Sequence, residues 1–325
     1  MSEYPRFPAE WEAQSAVLMA WPHAGTDWAE RLNETATCFA EICSAISVRQ
    51  PLLLLVPDES IEQAARQWLR QAGCRFENLR FIRVAYDDTW LRDSGPITLR
   101  DGAGFRLLDF RFTAWGGKFE AGQDDRIIAE LVQNGIFRDV DHQRIEFALE
   151  GGAIETDGNG TLLSTWHCLH ERHPDKSRAE IEAILKTALH QDRVLWLEHG
   201  HLEGDDTDAH FAAPDAIVYQ GCQDPADSHF NGLQAMAGEL QAFRQRNAEP
   251  YRLFELPWPE PIIDGDRRLA ASYANFLIIN GAVLMPLYGD SVDSAALAVM
   301  RQAFIGREVV GIPCRNLIWQ NGSLH

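Results

Sequence analysis

The chain has 325 residues, 48 of them acidic and 29 basic, for a formal charge of −19, with 46% hydrophobic and 24% charged residues. That mix is the mix of a globular protein and excludes a wholly disordered, collagen-like or coiled-coil chain. The acidic surplus argues against nucleic-acid and anionic-membrane partners, which need a basic face, and fits a cationic small molecule.

From the N-terminus, MSEYPRFPAEWE has neither a basic region nor an apolar core, so no secretory leader is expected and the default location is cytoplasmic. Short apolar runs predict strands at 16–20, 52–56, 79–84, 97–99, 106–110, 144–148 and 161–164. Further strands are predicted at 194–197, 216–219, 251–255, 276–279, 282–285, 308–312 and 316–319. Between them, apolar residues at three- and four-residue steps predict helices over 28–48, 60–71, 124–134, 176–190, 232–247 and 293–304. Asp101-Gly102 and Asn280-Gly281 read as hairpin turns between neighbouring strands. The rhythm is two strands, a helix, then a strand. No Pro- or Ser-rich linker interrupts it, so one α/β domain over residues 1–325 is expected. The six cysteines form no CxxC and are too sparse for a disulfide scaffold.

Four segments carry more polar and glycine content than a scaffold needs. DDTWLRDSGP, from Asp87 to Pro96, follows a predicted strand; it reads either as a solvated, Asp-capped turn or as carboxylates around Trp90 holding a planar cation. FTAWGGKF, from Phe112 to Phe119, reads as a turn and is no nucleotide loop, because the earlier glycine and the following Ser or Thr are missing. In EGGAIETDGNGTLLST, from Glu150 to Thr165, DGNG reads as a hairpin turn, and Gly151-Gly152 as a place where backbone approaches a ligand. Its oxygen ligands do not alternate as a calcium loop requires. HGHLEGDDTDAH, from His199 to His210, invites a metal reading through His-x-His and its carboxylates, but one histidine acting as general acid and base suits it better.

In this order, DTWLRDSGP, EGGAIETDGNGTLLST, GDDTDAH and SYANFLIINGAVLMPLYGD resemble the agmatine deiminase family, also described as Porphyromonas-type peptidylarginine deiminases, across essentially the whole chain. The resemblance implies an α/β pentein fold, a five-bladed propeller of pseudo-symmetric ββαβ units. It implies hydrolysis of a guanidinium carbon with loss of ammonia; for agmatine the product is N-carbamoylputrescine, on a route to putrescine. Asp93 and Glu150 then clamp the guanidinium and His210 moves protons, while a cysteine thiolate attacks the carbon. Trp90, Asp87 and Trp115 are implied substrate contacts, with Tyr273 and Asn275 as further lining residues. Neither a metal nor an organic cofactor is called for; a homo-oligomer stays open.

Two departures from the family pattern stand out. About six residues are expected to be missing after His210, including an Asp, which should cut its strand short. The nucleophilic cysteine is expected directly after His325, and none of the six cysteines present replaces it. An intact cysteine-dependent deiminase with further residues, a deiminase of peptidyl-arginine or another guanidine, and a non-catalytic guanidine- or polyamine-binding relative are the open readings. A metal hydrolase is a more distant one.

Overall fold

The run Leu52–Val56 is apolar at every position because it is the middle strand of a parallel sheet, in which β1 (Val17–Ala20), β2 (Leu52–Val56) and β3 (Leu79–Arg83) lie in that order. A strand covered on both faces has no solvent side on which to alternate, and Leu54, Leu55 and Val56 are fully buried. Each such side chain contributes about 1.5–3 kcal/mol. Parallel neighbours require crossovers, here α1 (Leu32–Ser47) and α2 (Glu59–Gln71). Helix α2 starts where Oδ1 of Asp58 accepts the N–H groups of Ser60 and Ile61 at 2.7 and 3.0 Å. This first sheet is therefore βαβαβ, unlike the predicted two-strand, helix, strand rhythm.

In the computed structural model, which describes residues 5–200, 202 and 208–325, the later sheets keep that rhythm. After the single turn α3 (Leu91–Ser94), β4 (Ile97–Asp101) and β5 (Gly104–Arg111) form an antiparallel hairpin. The turn α4 (Ala114–Gly117) and helix α5 (Ile127–Gln133) lead to β6 (Asp141–Ala148), parallel to β5. Next, β7 (Ile154–Thr156) pairs antiparallel with β8 (Thr161–Thr165). Helices α6 (Trp166–Arg172) and α7 (Arg178–Ala188) precede β9 (Arg193–Leu197), which neighbours β8. The fourth sheet has β10 (Ala209–Ala213), β11 (Ala216–Gln220), helix α8 (Phe230–Ala242) and β12 (Arg252–Leu256). A small hairpin, β13 (Ile263–Asp264) and β14 (Arg267–Arg268), precedes the fifth, built from β15 (Leu277–Ile279), β16 (Ala282–Leu287), α9 (Asp293–Ala303) and β17 (Glu308–Pro313).

The predicted turns form as their chemistry requires. Asp101 pairs with Gly104 across Gly102-Ala103, and Ile279 with Ala282 across Asn280-Gly281, with φ of 57° at Gly102 and 76° at Gly281. In the DGNG turn Oδ1 of Asp157 accepts the N–H groups of Asn159 and Thr161 at 2.8 and 2.9 Å.

Two expectations are corrected. The run at 316–319 is no strand but a 3₁₀ turn, Leu317–Gln320; its N–H at Leu317 bonds to Cys314 O, and Leu317 and Ile318 are buried. Four apolar residues suit either conformation, and here burial is met by a turn. The strand through His210 is not cut short. Strand β10 runs five residues and turns at Pro214-Asp215 into β11, with a register shift between Phe211 and Ala213.

Internal contacts divide the chain into two compact units. The first holds the residues up to Pro8, Ala13–Ala153 and Cys168–Arg193; the second holds Ala9–Glu12, Ile154–His167 and Val194–His325. Ala20, Leu55, Ile82, Ile127 and Leu131 pack together in the first. Leu163, Leu197, Phe211, Ile217, Leu233 and Met236 do so in the second. Among the described residues, no helix is long and apolar enough to cross a membrane.

Candidate active site

In the first unit, α3 ends in a turn closed by the N–H of Gly95 on Leu91 O at 2.8 Å and carries Asp93. Both oxygens of Asp93 are fixed. Oδ1 accepts the Gly152 N–H at 2.9 Å, and Oδ2 accepts Nε1–H of Trp115 at 3.0 Å. The glycine pair explains the first bond. A Cβ at Gly151 would lie 2.1 Å from Arg92 O, and one at Gly152 2.6 Å from Oδ1 of Asp93. Gly151-Gly152 therefore admits the Arg92-Asp93 backbone and side chain, whereas the sequence reading had backbone approaching a ligand.

Trp115 reaches Asp93 from an unusual turn. Ala114, Trp115, Gly116 and Gly117 all have positive φ, at 46°, 55°, 85° and 83°. Two glycines enter this left-handed turn freely, while Ala114 and Trp115 cost about 1–2 kcal/mol each. The turn is held by Oγ1 of Thr113 accepting the Gly116 N–H and by the Gly117 N–H on Thr113 O at 2.7 Å. Phe112 and Phe119 pack edge-on against the indole, at 5.3 and 5.8 Å between ring centres.

Glu150 is 1% exposed. Its Oε1 accepts Nε–H of Arg172 at 2.8 Å, in an ion pair whose cation is equally buried, and its Oε2 is buried with no hydrogen-bond partner. A buried carboxylate oxygen without a partner is costly, and a bound N–H donor would relieve that cost.

Asp87 and Trp90 sit differently. The carboxylate of Asp87 accepts both the backbone N–H and Nε2–H of Gln123, at 2.7 and 2.6 Å, so it ties two loops together. Trp90 lies half-buried, tilted on Trp28 at 6.1 Å, and Trp28 bonds through Nε1 to Oγ1 of Thr89. Next to them, burial raises the carboxyls of Asp88 and Asp124 to about 7 and about 6, with repulsion from Asp27 and Asp124 adding to the first and from Asp87 to the second.

In the second unit, β10 places His210 in the interior, 2% exposed. Its Nδ1 lies 3.1 Å from Oε1 of Glu155, on β7, and its ring meets Phe276 edge-on. His325 comes to the same carboxylate, with Nε2 3.4 Å from Oε1 of Glu155 and its ring 4.6 Å from that of His210. Asn275 sets this approach. Its side-chain oxygen accepts three successive backbone N–H groups, from Ser323, Leu324 and His325, at 2.9, 2.9 and 3.0 Å. Tyr273 is fully enclosed; its hydroxyl donates to Asp293 at 2.6 Å and its N–H to Oε1 of Gln220. Tyr273 and Asn275 thus hold a helix and the backbone up to His325 in place.

All six cysteines are buried thiols, and none takes part in a disulfide. Burial pushes the Cys43 thiol well above its ordinary range, Cys74 to about 11, and Cys222 upward. Such thiols are packing groups, not ready nucleophiles. Of the segment from His199 to His210, His201 and residues 203–207 lie outside the described residues, so its His-x-His metal reading does too.

The sequence model of the Porphyromonas-type peptidyl-arginine deiminases matches residues 6–325. The chain belongs to this family. The agmatine deiminase of Stutzerimonas stutzeri is 32% identical to it, over 98% of the chain and 93% of that protein. Among solved structures, a cysteine-to-serine variant of the C. jejuni agmatine deiminase with substrate bound superposes with a TM-score of 0.89, at 31% identity, covering 99% of this chain and 94% of that one. A Porphyromonas gingivalis structure, provisionally described as an arginine deiminase, has the same TM-score at 43% identity, covering 99% and 96%. The fold of this family member is the α/β pentein fold that the resemblance implied.

Sequence reasoning passed over Arg172, Glu155 and His325. Arg172 ends a helix that the periodicity does not predict, and Glu155 lies between Gly152 and Asp157 in the glycine-rich segment without a signal of its own. His325 stands directly before the expected nucleophile position, yet its own side chain carries no motif signal. Only the fold brings it to His210.

Proposed function

We propose that this family member is a hydrolase that converts agmatine to N-carbamoylputrescine and ammonia, in the cytoplasm and on a route to putrescine. The observation that carries the reading is the carboxylate pair of the first unit. Asp93 is held by two N–H groups at 2.9 and 3.0 Å, and Glu150 has one oxygen on Arg172 and the other buried without a partner. Oriented carboxylates are what a planar cation with several N–H donors requires. Glu150 already holds one guanidinium, that of Arg172, by its Nε–H.

In this reading Asp93 and Glu150 accept guanidinium N–H groups and fix the carbon for attack. A thiolate forms an S–C bond and gives a tetrahedral adduct. The C–N bond then breaks as His210 delivers a proton, and ammonia leaves an amidino-thioester. His210 next takes a proton from water, the hydroxide adds to the carbon, and the S–C bond breaks to return the thiolate and release the ureido product. The resemblance to the family implies that the thiolate belongs to a cysteine directly after His325. The substrate-bound cysteine-to-serine variant of the C. jejuni relative supports a cysteine at the reacting centre.

Two preparations test this. The 325-residue chain should bind agmatine without turnover, and the same chain carrying a cysteine directly after His325 should release ammonia and N-carbamoylputrescine. Absence of a ureido product from agmatine or any other guanidine in the second preparation would sink the reading. The 43% identity to a structure provisionally described as an arginine deiminase favours one alternative, a deiminase of arginine, peptidyl-arginine or another guanidine. Turnover of agmatine, arginine and an arginyl peptide, compared side by side, separates the two.

A further inference from the structure

We propose that Glu155, His210 and His325 form a binding site for a transition-metal dication of the Zn(II) or Co(II) type. One ligand atom from each residue lies within 4.8 Å of the other two, and no other group of three described His, Cys, Asp or Glu residues meets that condition. Metal–ligand bonds of about 2.0–2.1 Å in tetrahedral array place neighbouring ligand atoms about 3.3–3.4 Å apart. Oε1 of Glu155 lies 3.1 Å from Nδ1 of His210 and 3.4 Å from Nε2 of His325, which is that spacing.

The donor set decides the class of ion. Two imidazole nitrogens and one carboxylate oxygen suit zinc and its first-row neighbours, and leave a fourth position for water. Magnesium and calcium prefer all-oxygen surroundings. Electrostatics point the same way. The carboxylate of Glu155 supplies negative charge, and a second carboxylate stands behind His325, with Oε2 of Glu10 3.6 Å from its Nε2. Oε1 of Glu10 accepts the Ile278 N–H, which orients the carboxylate. The site is rigid as well as charged. Strands β7 and β10 carry Glu155 and His210, and the three N–H bonds to Asn275 fix the backbone up to His325. All three ligand side chains are at most 4% exposed. A bound ion would withdraw His210 from proton transfer and so inhibit turnover; that consequence rests on the role proposed above for His210, whereas the site itself does not.

The test needs no substrate. The metal-stripped 325-residue chain is titrated with Co(II), and the visible ligand-field bands are followed, with Zn(II) as competitor. One equivalent should bind with the band intensity of a tetrahedral ion and be displaced by Zn(II). Glu155→Gln and His325→Gln should each weaken binding about tenfold or more, while His199→Gln should leave it unchanged. A parent chain without the band, or a band that survives both substitutions, overturns the proposal. Should either variant fail to fold, X-ray absorption of the Zn(II)-loaded parent should show two imidazole ligands at about 2.0–2.1 Å. A spectrum without imidazole scattering overturns it equally. Failure of the deiminase reading leaves every one of these readouts intact.

Discussion

Nε1 of Trp115 donates a 3.0 Å hydrogen bond to Oδ2 of Asp93, across 22 residues of sequence and from a backbone turn with φ of 55°. A large side chain kept in the left-handed region implies that the position of the indole matters more than local ease. The bond aims the carboxylate while Gly152 holds its other oxygen.

Removing the bond and keeping the ring isolates its contribution. Trp115→Phe retains an aromatic group for Phe112 and Phe119 but deletes the donor. Loss of one hydrogen bond to a charged acceptor is worth about 1.5–3 kcal/mol, so agmatine affinity should weaken roughly tenfold or more. Titration calorimetry on the 325-residue chain measures it. Unchanged affinity would mean that the indole does not orient Asp93 for the ligand.

A steric change should act on the same carboxylate from the other side. In Gly152→Ala the new Cβ would lie 2.6 Å from Oδ1 of Asp93, so either the loop or the carboxylate must move. Overpacking of this kind costs about 1–3 kcal/mol, and agmatine binding should fall with it. Gly232→Ala supplies the contrast. Gly232 lies within α8 with nothing near its missing Cβ, so alanine there should stabilise by about 0.4–1 kcal/mol. Chemical denaturation of both variants gives the two signs.

These elements also show what was legible beforehand. The DG, NG and DGNG turns could be read because their positive-φ glycines and Asp acceptors act within four residues. The all-apolar Leu52–Val56 announced a buried strand, but not that its neighbours would be parallel, since a run without alternation carries no mark of its partners' direction. At Gly151-Gly152 the sequence showed that a side chain is unwelcome, not that Arg92 and Asp93 are what approaches. Asn275 and Tyr273 stand out in the sequence as candidate lining residues, but their bonds to Ser323, Leu324, His325 and Asp293 span 20 to 50 residues and are not legible there. The cluster of Glu155, His210 and His325 is likewise a product of tertiary pairing.

The buried ion pair makes Glu150 dependent on its cation. Arg172→Gln leaves a carboxylate that is 1% exposed without a counter-charge, which should destabilise the fold by about 3–5 kcal/mol. Glu150→Gln with Arg172→Gln removes both charges and should recover much of that loss. The double variant should nevertheless bind agmatine weakly, because the clamp is gone. Stability and affinity measured on the same three proteins separate the pair's structural role from its ligand role. A double variant no more stable than Arg172→Gln alone would contradict the ion-pair account.

Asp88 sets a pH dependence of definite sign. Its carboxyl titrates at about 7 in the fold, raised by burial first and then by Asp27 and Asp124, whereas an exposed aspartate titrates near 3.9. Between those values the native chain holds a proton that the unfolded chain has released, so this group's contribution to stability falls as pH rises from about 4 to about 7 and then levels off. Asp124, raised to about 6, acts in the same direction. Asn at position 88 keeps an oxygen for the Thr89 N–H, now bonded at 2.8 Å, and cannot ionise. Asp88→Asn should therefore match the parent near pH 4.5 and exceed it by roughly 1–3 kcal/mol at pH 8. Denaturant melts at the two pH values check this. A stability difference that stays constant, or shrinks with rising pH, would show that Asp88 is ionised in the fold across the whole range.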